Sequence, residues 1–98
     1  MAEPEGLAGR VKSKVERVVD PETGLTLGEM GLIKRVKEVE SGVVQVDFTP
    51  SSPYCPIALK LAMDIKRAAE GVRGVKKALV YCRGHIMEDA INNVVNKG

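Results

Sequence analysis

Apolar residues recur along this chain with two different periods, and the changes of period divide it into elements. Leu7, Val11, Val15 and Val18 are spaced by four, four and three, one face of a helix, with Lys12, Lys14, Glu16 and Arg17 on the solvated side. Asp20-Pro21 predicts its end, because a residue before proline avoids the α region. Residues 20–31 carry Gly24, Gly28 and Gly31 and read as a loop long enough to suggest function. Leu32–Val39 then alternates moderately, Ser41-Gly42 suits a two-residue turn, and Val43–Thr49 alternates cleanly with Val44, Val46 and Phe48 on one face.

Pro50-Ser51-Ser52-Pro53 ends the second strand, and Ser52 followed by Pro53 predicts an N-cap and a first helical position. The helix is expected to run to about Glu70, burying Ala58, Leu61, Ala62, Ile65, Ala69 and Val72. Gly71 and Gly74 bracket its end, Val75–Cys82 reads as a third strand, and Met87, Ala90, Ile91 and Val94 mark a terminal helix. The order α-β-β-α-β-α predicts an α/β (α+β) fold: a two-layer sandwich with a small three-stranded mixed sheet. A strand–helix–strand crossover makes strands two and three parallel, with their carboxyl ends on one edge. The Asp20–Gly31 loop, the Ser51–Pro56 turn and the Cys82–His85 segment are therefore expected to converge there, where ligand sites of such sheets gather.

Composition narrows the range of functions. Ninety-eight residues fit one domain, here residues 7–98 after a frayed start at 1–6, and leave no room for a second. Phe48, Tyr54 and Tyr81 are the only aromatic residues, few for stacking bases, and a formal charge of +2 is no nucleic-acid footprint. Two cysteines, with no apolar leader and no long apolar run, predict a protein of the reducing cytoplasm with free thiols and no membrane anchor.

Those thiols are the main candidates for chemistry. In the first turn of the predicted middle helix, Cys55 would meet unpaired backbone amides and the positive end of the helix dipole, which favour a thiolate. The competing reading is a small buried hydrophobe. Flanking Ser51, Ser52, Pro53 and Pro56 mark a surface turn and favour the reactive reading. Cys82-Arg83-Gly84-His85 has chelating spacing but lacks the second pair of a closed zinc site, and Cys82 also fits a core-facing run with Ala78 and Val80. Asp20 and Glu22 fit either ligand or acid–base roles, or a turn in which the Asp carboxylate accepts backbone N–H bonds; the turn is the commoner use. Two other function classes remain open: nucleic-acid binding through the Gly71-Val72-Arg73-Gly74 loop, and a thiol enzyme with His85 as base to Cys55.

Asp20-Pro21-Glu22, Met30-Gly31-Leu32-Ile33, Thr49, Pro53, Cys55-Pro56 and Gly74-Val75 together resemble the SufT- and PaaD-like iron–sulfur cluster assembly domain over about residues 8–95. The resemblance implies a two-layer α/β fold and a signature cysteine at Cys55, with Asp20, Glu22 and Thr49 on the same surface. It also implies a role in helping other proteins acquire clusters, without a turnover reaction of its own. Two departures stand out. The Cys82–His85 segment replaces the aromatic, proline-rich stretch of many relatives, and the cysteine-rich tail of the oxygenase-dedicated members is missing, which favours general assembly. A cluster is normally held by four thiolates and one chain offers at most two. The expected cofactor is thus a transient iron–sulfur cluster shared across a homodimer or with external thiols, and the expected partners are the assembly machinery and client apo-proteins.

Overall fold

The alternation of Val44, Val46 and Phe48 sets the centre of the molecule, because these three fully buried side chains lie on one face of the middle strand. The computed structural model describes residues 6–96. Its elements are α1 (Gly6–Val15), β1 (Ile33–Glu40), β2 (Val43–Phe48), α2 (Ala58–Glu70), β3 (Lys77–Cys82) and α3 (Glu88–Val95). The sheet order is β1-β2-β3, with β1 antiparallel to β2 and β3 parallel to β2, in the register that sets Phe48 opposite Cys82. Helices α1 and α2 pack together over the buried sheet face, giving the expected two-layer α+β sandwich. Of the frayed start expected at 1–6, residues 1–5 lie outside the described residues, and Gly6 opens α1.

Three boundaries differ from the expectation, each for a local reason. Helix α1 stops at Val15, short of Val18, because the following loop claims its end: the Leu27 amide donates to the Val18 carbonyl (2.8 Å) and the Gly28 amide to that of Glu16 (3.0 Å). The loop is consequently folded back, with Val19 bridged to Thr26 and the Leu27 side chain in the core. Helix α2 begins at Ala58, not Pro53. Cys55 precedes Pro56 and is biased away from α geometry, so the Ser52–Cys55 turn ends before the helix starts. Ser52 Oγ accepts the Tyr54 amide (3.1 Å), and the N-cap of α2 is Ile57, which makes no side-chain cap bond.

Strand β3 starts at Lys77 because the amides of Lys76 and Lys77 both turn to the Gly42 carbonyl (2.7 and 3.2 Å). Gly42 itself has φ +80°, and a Cβ there would lie 2.8 Å from Lys76 Cγ. Gly42→Ala combines left-handed strain with this collision and is expected to lower stability by about 1–2 kcal/mol, read as a shifted urea midpoint.

Helix α3 lies along the free edge of β3. Ile91 and Val95 are its buried residues, while Asn92 and Asn96 pair with the strand backbone. Asn92 Oδ1 accepts the Cys82 amide (2.7 Å) and its Nδ2 donates to the Cys82 carbonyl (3.3 Å). Asn96 does the same at Val80 (2.8 and 2.9 Å).

Candidate functional site

The carboxyl ends of β2 and β3 hold the candidate residues. Phe48 and Cys82 end their strands side by side, and the chain beyond each is stitched to the other: the Arg83 amide donates to the Phe48 carbonyl (2.9 Å) and the Ile86 amide to that of Pro53 (3.0 Å). Thr49 joins this edge through its amide bond to the Leu32 carbonyl (2.9 Å), and a methyl group at Gly84 would meet its Cγ2 at 3.4 Å. The Ser51–Pro56 turn and the Cys82–His85 segment therefore converge as the topology requires.

Cys55 sits in the turn before α2, not in the first helical turn, and its side chain belongs to the core at 4% exposure. It also borders a groove of about 300 Å³ between the start of α2 and α3. Tyr54, Pro56, Leu59, Ile86, Met87 and Val94 supply apolar walls, with Tyr54 and Ile86 among the most exposed apolar residues of the described chain. The periodicity pointed to part of this: the stripe of Met87, Ala90, Ile91 and Val94 lines the groove, with Ile91, together with Val95, also buried in the core.

His85 is held at both ring nitrogens. The Met87 amide donates to Nδ1 (3.0 Å), so Nε2 carries the proton and donates it to the Cys55 carbonyl oxygen (2.9 Å). Both ring nitrogens of His85 are thus engaged in hydrogen bonds, Nε2 with the backbone of Cys55 and not with its thiol. Among the described residues, no three of the His, Cys, Asp and Glu side chains are grouped as a metal site.

Cys82 is fully buried, and burial, with lesser contributions from Glu88 and Cys55, pushes its thiol up to about 11. A thiol whose pKa is raised on folding keeps its full stabilising effect below the unfolded value near 9.0 and loses it as pH rises toward about 11. Stability is expected to fall by roughly 2 kcal/mol across that window on this account. Urea midpoints at pH 8 and pH 10.5 should drop further in wild type than in Cys82→Ala, in which the lysine titrations are the same.

Asp20 is buried but turned into its own loop: Oδ1 accepts the Glu22 amide (2.8 Å), and its carbonyl accepts those of Thr23 and Gly24. The carboxylate thus does the turn work weighed against a ligand role, and Glu22 is exposed. The Gly71–Gly74 loop lies at the opposite end of α2 from the Cys55 turn, with Gly71 as the helix C-cap.

A family described as "Iron-sulfur cluster assembly protein" matches residues 9–80. An uncharacterized protein of Methanocaldococcus jannaschii is 34% identical over 87 residues, 89% of this chain and 92% of that one. The Fe-S protein maturation auxiliary factor YitW of Bacillus subtilis is 31% identical over 77 residues, 79% of this chain and 76% of its own length. The crystal structure of a Domain of Unknown Function, DUF59, from Bacillus anthracis superposes with a TM-score of 0.73 at 26% identity, covering 78% of this chain and 73% of that one.

Proposed function

Since the chain belongs to the iron–sulfur cluster assembly protein family, we propose that it is an auxiliary factor in iron–sulfur protein maturation and that Cys55 is the residue through which it works. The observation that supports this reading is the placement of Cys55 beside an apolar groove at the carboxyl edge of the sheet. An apolar wall with a thiol at its base suits an apolar segment of a client apo-protein that presents its own cysteines.

The donor set limits what one chain does. A cluster normally takes four thiolates, and Cys82, neutral and enclosed, is a poor ligand at neutral pH. The cluster or its iron is therefore cargo, shared with the thiols of a client or of a second subunit. Cys55 would lose its proton on binding iron and leave when a client thiolate replaces it, so ligands exchange and no substrate turns over.

The test is rescue of a deletion strain grown under iron limitation, scored by the activities of its iron–sulfur enzymes. Wild type and Cys82→Ser are expected to restore them, and Cys55→Ser to restore about a tenth or less, the scale of loss for an essential thiol. Full rescue by Cys55→Ser, at equal protein level, would remove Cys55 from the mechanism.

A further inference from the structure

A thiol that exchanges ligands must be reached, and Cys55 is 4% exposed. Resting on the reading of Cys55 above, we propose that α3 with its lead-in Arg83–Met87 is a hinged lid over Cys55, latched to the edge of β3 by Asn92 and Asn96.

The latch follows from two matching spacings. Residues four apart on a helix rise by about 6 Å, and residues two apart on a strand by about 6.6 Å. Asn92 and Asn96 can therefore face Cys82 and Val80 in turn, each amide presenting one acceptor and one donor as a neighbouring strand would. The same helix walls the Cys55 groove with Ala90 and Val94, and its lead-in adds Met87. Its lead-in is tied to the Cys55 turn by the His85 bond to the Cys55 carbonyl and by the Ile86 amide bond to the Pro53 carbonyl. Raising α3 breaks these bonds and the asparagine pairs together, so the edge of β3 and the flank of Cys55 open in one event.

The lid has few anchors in the core. Helix α3 has eight residues, too few to persist as an isolated helix, and only Ile91 and Val95 anchor it in the core. Lys66 Nζ adds one bond at its far end, to the Val95 carbonyl (2.8 Å). The lead-in carries exposed Arg83 and Gly84, and Gly84 at φ +82° provides a hinge position.

Native-state hydrogen exchange and iodoacetamide labelling of the reduced wild-type chain, with adducts located by peptide mass spectrometry, test the lid. The amides of α3, Val80 and Cys82 are expected to exchange together, about tenfold or more faster than those of Val44 and Val46. Cys55 should label with the protection of the α3 group. Labelling as slow as the β2 amides would mean that Cys55 needs global unfolding, and would overturn the proposal. So would labelling at the rate of an unstructured thiol while α3 stays protected. In the double variant Asn92→Leu, Asn96→Leu, Cys55 labelling should rise about tenfold with β2 exchange unchanged; if that variant does not fold, the wild-type comparison decides alone. Labelling that follows α3, together with full rescue by Cys55→Ser, would keep the lid and remove the ligand role. The reverse pattern would remove the lid and leave the role standing.

Discussion

Phe48→Ala is expected to lower the free energy of unfolding by about 3–5 kcal/mol, the range for an aromatic truncated inside a packed core. Phe48 is the largest fully buried side chain of the described residues and sits in the central strand, opposite Ile33 of β1 and Cys82 of β3. A small domain has only about 5–15 kcal/mol in total, so the variant should be partly unfolded near physiological temperature. The consequence extends to the site, because the Phe48 carbonyl holds the Arg83 amide and thereby the segment that leads to His85. Phe48→Leu keeps an apolar filler and should cost less than half as much. Urea titrations followed by far-ultraviolet circular dichroism would rank the two.

Leu27→Ala should cost about 2–4 kcal/mol although it lies in an irregular segment, where substitutions usually matter little. Leu27 is fully buried, its amide bonds the Val18 carbonyl and its carbonyl accepts the Leu32 amide (3.0 Å). It is the peg that pins the folded-back loop to the core. Beyond the loss of stability, limited proteolysis should shift to cleavage within residues 20–31. Leu25→Ala, at a residue about half exposed, should leave both readouts nearly unchanged, within about 0.5 kcal/mol. Equal effects at the two leucines would contradict this account of the loop.

Leu27 also illustrates where the sequence stopped being informative. Valines in strict alternation on β2 and an aliphatic stripe on α2 betray themselves, because each repeats the period of the element that carries it. From those elements and the crossover rule, the parallel sense of β2 and β3 and the convergence of the Cys55 turn with the Cys82–His85 segment follow directly. Leu25 and Leu27, the two leucines between Gly24 and Gly28, sit in a stretch too short to show a period, so which of them is buried is not legible. The start of α2 was misplaced because Ser52-Pro53 offered a good helix start, and the weaker but decisive signal was Cys55-Pro56 two residues later. The site was legible to the level of which segments meet. The direction in which side chains point was not: His85 bonds a carbonyl instead of a thiol, and Asn92 and Asn96 act on a strand that spacing within α3 alone does not name.

The asparagine pairs also bear on how the protein avoids sticking to itself. A three-stranded sheet has two open margins, and an open margin invites another chain to add a strand. On β1 the outer margin is crowded with Lys34, Arg35, Lys37, Glu38 and Glu40, charges that discourage such pairing. On β3 the sequence Ala78-Leu79-Val80-Tyr81-Cys82 carries no charge at all and has the composition that seeds fibres. There the two amides stand in for a missing neighbour strand, and a proteolytic cut in the Arg83–Met87 lead-in, which severs α3 from the strand it covers, would leave that margin open to strand addition.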